Sequence, residues 1–293
     1  MKVNNKEIIL LLCIFIYFMF NAKISFAAEY YIEPFDKCKA HTLLIKGDIE
    51  KDEFLQFKNR INQIEELRKS NCSLVSLIVR INSNGGSVEE SLKIGRYIRA
   101  KQFHTEIFLK EQCLSSCVFI YIGGVKRDNW SNYGKIGIHR PYFYELNENI
   151  SVDEIKKIRK KKTKELTEYF EEMDIPFSLI DEMMSIPPNE MKILSETEVK
   201  KFRLNDADAN YEEKETATFA SIYKMTSSEY RKRDSEASSK CKVLSSEYSF
   251  CYNSSMLNMP LSTYKEKYNI YKDSCVKNDG VEYFRCLTDK ISR

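Results

Sequence analysis

Residues 111–124 read EQCLSSCVFIYIGG: two adjacent serines lie between two cysteines and lead into an apolar run. Val118 to Ile122 is rich in β-branched and aromatic residues, which by propensity favours a strand. So short a run carries no period that separates a buried strand from a buried helix. As a strand it adds one more rung to a sheet. As a helix it sets Ser115 and Ser116 at its N-terminus, where free N–H groups and the dipole favour negative charge. A serine there can also be an ordinary N-cap.

The flanks supply the context. Upstream, HTLLIKGDI (41–49) is strand-like, and KDEFLQFKNRINQIEELRKS (51–70) sets Phe54, Phe57, Ile61 and Ile64 at helical spacing. LVSLIVRI (74–81) then reads as a continuous buried strand. The order β-α-β implies parallel strands joined by helical crossovers, an α/β fold. INSNGGSVEESLKIGRYIRA (81–100) is a strand end, the Gly85-Gly86 turn, and a helix that Ser87 and Glu90 open as a capping box, with Val88, Leu92 and Gly95 on one face. Such a turn can be a tight connection or an oxyanion site at a helix N-terminus. HTEIFL (104–109) is a third strand, and YGKIGIHRP (133–141) ends a fourth in His139, stopped by Arg140 and Pro141.

In order, these pieces resemble the ClpP-class serine peptidases of the ClpP/crotonase superfamily, especially their exported bacterial relatives. That family carries an INSPGG turn, a serine opening a buried helix that ends in glycine nine positions later, and an IHxP histidine. Here INSNGG has Asn84 in place of proline, Gly124 counts back to Ser115, and GIHRP supplies His139. The resemblance spans about residues 40–206 and includes LSETEVKKFRL (194–204), similar to the family's closing helix. It implies a ββα-repeat spiral fold with Ser115 as nucleophile and His139 as its base. The N–H groups of Gly86 and Ser116 would form the oxyanion hole. The family's third triad member falls on Met191, which cannot orient a histidine, so the neighbouring Glu190 is the candidate acid. The implied activity is that of an ATP-independent serine hydrolase acting on peptides or proteins, with no cofactor. The alternative is an inactive binding or oligomerisation protein of the same fold. A cysteine nucleophile and a crotonase-like acyl-CoA enzyme are weaker readings. The family also implies a homo-oligomer built partly through the helix in SVDEIKKIRKKKTKELTEYFEEM (151–173). Ser151 and Glu154 read there as a second capping box, and Lys160 to Lys164 as a solvated face.

Composition is that of an ordinary globular protein: 293 residues, 43% hydrophobic, 30% charged, net charge +3. Nothing in it marks a nucleic-acid partner. Lys2 and Lys6 precede an apolar run from Ile8 to Phe20, and Ser25 and Ala27 have the small-residue spacing of a signal-peptidase site. The reading is a signal peptide over 1–27 cleaved after Ala27, with an uncleaved membrane anchor as the rival. A periplasmic or secreted location follows, where no ATP-driven partner is expected. Eight of the nine cysteines then lie in the exported part, and an even number there argues for disulfides, not metal. Pairing among Cys38, Cys72, Cys113 and Cys117 is open.

The remainder divides by polarity. Residues 28–210 form the ClpP/crotonase-like domain, 211–236 a polar linker, and 237–293 a cysteine-rich hairpin. If the intervals Cys241 to Cys251 and Cys275 to Cys286 are both helical, bonding within either is excluded by distance. Two antiparallel helices then join Cys241 to Cys286 and Cys251 to Cys275, a resemblance to twin-CX9C hairpins whose implied role is binding or oligomerisation.

Overall fold

The alternation read around residues 41–138 forms a sheet whose strands are joined by helices that cover it. The structure is a computed structural model describing residues 28–34, 41–71, 77–129, 134–142, 151–241, 247–275 and 280–293. The expected signal segment, Cys38 and Cys72 lie outside the described residues.

The larger sheet contains β1 (Glu29–Pro34), β2 (His41–Lys46), β3 (Ile78–Asn82), β4 (His104–Ile107) and β6 (Lys126–Asn129), in the order β1-β2-β3-β4-β6. β2, β3, β4 and β6 run parallel, and β1 pairs antiparallel with β2. Helix α1 (Glu53–Asn71) joins β2 to β3 and α2 (Val88–Ala100) joins β3 to β4. Phe57, Ile61 and Ile64 of α1 are fully buried, as the periodicity required, alongside Leu43, Ile45, Val79 and Ile81 of the sheet. A second sheet holds β5 (Gln112–Leu114), β7 (Lys135–Ile138) and β8 (Lys192–Ile193), with β5 parallel and β8 antiparallel to β7. The two sheets meet where β3 ends: Ser83 N–H donates to the Gln112 carbonyl (2.8 Å), and Leu114 N–H returns to the Ser83 carbonyl (3.0 Å).

The apolar run of the opening segment is a helix, α3 (Cys117–Ile122), with every residue buried. Burial overrides its strand propensity, and a helix satisfies its own backbone polar groups where no neighbouring strand could. Thr105 Oγ1 caps the Tyr121 carbonyl at 2.7 Å, and the Tyr121 hydroxyl donates to the Leu204 carbonyl at 2.7 Å. Helices α4 (Val152–Glu172), α5 (Ser178–Ser185) and α6 (Glu196–Lys201) complete the α/β part. Ser151 and Glu154 form the expected reciprocal box. Ser87 makes only its half, because Glu90 Oε2 accepts instead from Phe54 N–H at 2.9 Å. The basic face of α4 is solvated, with Lys162 and Lys164 paired to Glu165 and Glu168.

Two readings of the C-terminal third are corrected. The segment expected as a polar linker over 211–236 is helical: α7 (Ala209–Tyr223) and α8 (Ser227–Lys240) occupy it. Asp208 caps α7 through Tyr211 N–H at 3.0 Å, and Thr226 and Glu229 box the start of α8. Polarity reflects the wide exposed faces of these helices, not a lack of structure. Nor is the remainder a two-helix hairpin, since α9 (Tyr248–Met256), α10 (Leu261–Tyr271) and α11 (Gly280–Ile291) follow. The cysteines pair Cys241–Cys251 and Cys275–Cys286, not Cys241–Cys286 and Cys251–Cys275. The distance argument assumed continuous helices. Instead α8 ends at Lys240, with Cys241 extended (ψ 131°) and α9 beginning at Tyr248, so the Cα atoms of Cys241 and Cys251 come within 5.8 Å. Cys275 likewise closes a 3₁₀ turn before α11, 5.9 Å from Cys286. A small core of Tyr264, Cys275, Leu287 and Ile291 lies under these staples.

Helix α7 joins the two parts. Asp208 pairs with Arg99 of α2 at 3.0 Å, Ala207 bridges Lys126 of β6, and the Tyr211 hydroxyl lies 2.7 Å from His104 Nε2 at the start of β4. Among the described residues no helix is long and apolar enough to cross a membrane.

Candidate functional site

The site is assembled by main-chain register. β5 and β7 are parallel neighbours with Leu114 opposite Gly137, so the residues that follow each strand emerge on the same edge. Ser115 leaves β5 with its N–H on the Gly137 carbonyl (2.8 Å), and His139 leaves β7 one residue further on. Their side chains meet: His139 Nε2 lies 2.6 Å from Ser115 Oγ. Ser115 turns from strand to helix at φ 56°, a left-handed conformation uncommon for a residue with a side chain. Outliers of this kind cluster at sites where a side chain must be projected out of a turn.

The sequence INSNGG fixes the opposite wall. Asn82 Oδ1 accepts from Gln112 N–H at 3.3 Å, and Ser83 Oγ accepts from Gly85 N–H at 3.1 Å. Asn84, where the family resembled has proline, bonds both Gln112 (2.8 Å) and Asp48 (3.0 Å). The glycines are dictated by space and by φ. Gly85 sits at φ 96°, where a Cβ would come within 2.6 Å of the Leu114 carbonyl and 2.8 Å of Ser115 Cβ. Gly86 sits at φ 141°, with the Ile49 carbonyl against the place of its missing side chain. Ile49 grips the turn from both sides, donating to the Gly85 carbonyl at 2.8 Å and accepting from Ser87 N–H at 2.7 Å. Neither the Gly86 nor the Ser116 N–H donates to any other described residue.

Ser116 is not an ordinary N-cap: it is 1% exposed, caps nothing with its side chain, and its Oγ has no partner among the described residues. Cys113 and Cys117 are bonded to each other across the two serines, Cα atoms 5.2 Å apart, so the open pairing of this region is resolved for these two. A thiolate there is excluded.

His139 is buried, and desolvation holds its pKa below the ordinary imidazole value. Its ring meets that of Tyr142 edge-on at 6.1 Å. Its other nitrogen, Nδ1, is buried and has no side-chain hydrogen bond among the described residues, and a contact of the ring with the Arg140 backbone partly opposes the desolvation. Glu190, the candidate acid, is exposed and makes no side-chain hydrogen bond to His139; its N–H donates to the Pro187 carbonyl at 3.0 Å. The structure does not bring it to the pair. Met191 packs its sulfur beside Gly137, two residues before the histidine. The nearby Glu182 and Glu198 are both held by Lys192.

A buried neutral imidazole in contact with a serine hydroxyl can take its proton, and two unoccupied N–H groups beside a helix N-terminus can receive an oxyanion. A cavity of about 410 Å³ lined by Arg233, Lys240, Ser254 and Asn258 lies in the helical part and includes none of these residues. It carries no comparable pair of reactive groups. Among the described residues no cluster of three or more potential ligands is placed to hold a metal ion. A scan against protein-family models gave no match, and a search of curated proteins gave none. The site therefore rests on its own geometry.

Proposed function

We propose that this chain is an exported serine hydrolase of ClpP-like spiral architecture that cleaves accessible peptides or protein loops without an ATPase partner or cofactor. The observation that carries this reading is the 2.6 Å contact of His139 Nε2 with a Ser115 hydroxyl held at positive φ. Ser115 attacks the scissile carbonyl, His139 accepts its proton and later returns it to the leaving amine, and the Gly86 and Ser116 N–H groups receive the oxyanion. The absence of a carboxylate on Nδ1 among the described residues supports a Ser–His dyad over a triad through Glu190. The three disulfides support an oxidising compartment, periplasmic or secreted, as the place of action. A homo-oligomer is part of the proposal, with the exposed first turns of α4 as its contact.

The same lack of an orienting carboxylate among the described residues also suits the second reading, a non-catalytic binding domain that kept the fold. Fluorophosphonate labelling of the purified exported form separates them. Wild type should be labelled at Ser115 and Ser115→Ala should not, while Ser116→Ala, which keeps the backbone donor, should retain most labelling. His139→Ala should slow labelling by about 10²-fold or more, the lower range of general-base contributions. A folded wild type that stays unlabelled between about pH 6 and 9, where a neutral imidazole is available, leaves the binding domain as the reading.

A further inference from the structure

Ala28 is the first described residue, and it lies buried at the start of β1. Its backbone N–H lies within reach of the carboxyl of Glu53, the opening residue of α1, as does the Tyr30 hydroxyl, and desolvation holds that carboxyl above the ordinary range. Glu53 is 0% exposed; Oε2 accepts from Glu50 N–H at 3.3 Å, while Oε1 has no hydrogen-bond partner among the described residues. No lysine or arginine among the described residues forms an ion pair with it. The other titratable groups facing this place are Tyr30 of β1, Glu50, and Glu90 of α2, which is engaged with Phe54 N–H and Lys93; Arg60 of α1 is the cation on this side. A buried carboxylate whose contacts are all neutral donors is an unfavourable arrangement unless a cation completes it.

The sequence supplies a cation at that atom. Ser25 and Ala27 place a signal-peptidase cut immediately before Ala28, so the nitrogen that is an amide in the full chain becomes an amine in the processed one. We infer that export processing between Ala27 and Ala28 creates the missing partner of Glu53, and that the Ala28 α-ammonium closes a buried ion pair joining β1 to the start of α1. In the step itself a signal peptidase breaks the Ala27–Ala28 C–N bond. Water gives its hydroxyl to the Ala27 carbonyl carbon and a proton to the Ala28 nitrogen. The new acid then releases a proton and the amine takes one up, because an α-amine has an ordinary pKa near 8. The cut is made on the unfolded exported chain, and folding then buries the new terminus. Three donors replace one, enough to reach Oε1 as well as Oε2.

The pair lies next to the glycine turn. Glu53 begins four residues after Ile49, whose backbone holds both Gly85 and Ser87. Unprocessed chain therefore has only a neutral amide contact, not an ion pair, at the base of the loop that carries Gly86. The inference rests on export, not on hydrolase chemistry, and its test needs no substrate.

Protein beginning at Ala28, released from a fusion by a protease that leaves no extra residue, is compared with protein carrying a Gly-Ser extension, each as wild type and as Glu53→Gln. Urea unfolding followed by circular dichroism gives the folding equilibrium constant. The extension should lower it by about 10²-fold in wild type. Glu53→Gln should cost the free-amine form about as much and the extended form less than about tenfold, since a pair already broken cannot be broken again. An extension without effect, or equal losses from Glu53→Gln in both forms, overturns the ion pair. Should Glu53→Gln fail to fold, native-state modification of wild type by 2-pyridinecarboxaldehyde decides: slow labelling of the α-amine that becomes fast in urea supports burial, and equal rates refute it. N-terminal sequencing of the exported protein tests the cut separately, and a first residue other than Ala28 overturns that half.

Discussion

Acidification should loosen the joint between the α/β part and the helical part through one histidine. His104 opens β4, and its Nε2 contacts the Tyr211 hydroxyl of α7 at 2.7 Å, the rings edge-on at 5.4 Å. Burial, and secondarily the positive charge of Lys126, push its pKa down to about 4. The unfolded chain holds this imidazole near the ordinary value of about 6.5. Above that value both states are neutral and the group costs nothing. As pH falls below it the unfolded state takes a proton that the folded state refuses, so stability is lost until the folded pKa is reached. Integrating across that window gives a loss of about 2 kcal/mol at pH 5 and about 3 kcal/mol at pH 4. Urea unfolding between pH 7 and 4, followed by circular dichroism, measures the loss. His104→Gln keeps a polar group toward Tyr211 but cannot titrate, so its curve should be flatter by that amount. A variant that loses stability with pH as steeply as wild type would show that carboxylates elsewhere, not His104, account for the acid sensitivity.

Three further outcomes are expected. The depressed His139 pKa keeps the base neutral at lower pH than usual, so the acid limb of the labelling rate should fall below about pH 6.5, and Glu190→Gln should leave that profile unmoved; a rate following Glu190 would restore the triad. Gly86→Ala meets the Ile49 carbonyl and an unfavourable φ, so it should cost about 1–3 kcal/mol in unfolding measurements and slow labelling by about 10²-fold or more. Non-reducing peptide mapping should recover Cys113–Cys117, Cys241–Cys251 and Cys275–Cys286; by chain entropy the latter two contribute about 3 kcal/mol each, so mild reduction should melt α8–α11 before the α/β part.

The parts of the fold legible in sequence were those in which apolar periodicity and burial coincide. Phe57, Ile61 and Ile64 are a helix stripe in both, and HTLLIKGDI, LVSLIVRI and HTEIFL contain the strands expected of them. β6 escaped because its pattern is inverted: KRDN buries Arg127 and Asn129 and exposes Lys126 and Asp128. Arg127 donates to the Gly124 carbonyl at 2.9 Å and the Arg203 carbonyl at 3.2 Å, contacts no hydropathy pattern announces. β5 and β8, three and two residues long, are too short to show a period. Ser115 and His139 were found through ordered motifs, and the structure puts them in contact. What the linear chain withheld was the second neighbour of the histidine, since counting from Leu194 leads to Met191 and its neighbour Glu190 lies exposed. In the C-terminal third, Thr226 and Glu229 were an available helix-start signal inside a stretch whose polarity suggested none.

The setting of Ser115 and His139 one and one residue beyond the ends of two laddered strands makes their spacing a property of the backbone. Exchanging Leu114 or Ile136 for another apolar residue changes packing but not which atoms emerge at the sheet edge. Inserting or deleting a single residue in β5 or β7 is another matter. It advances the chain by about 3.4 Å and turns the following side chain to the opposite face, carrying the hydroxyl or the imidazole out of reach while leaving every nearby amino acid in place. This site should therefore tolerate broad changes of residue type in its supporting strands and almost no change in their length.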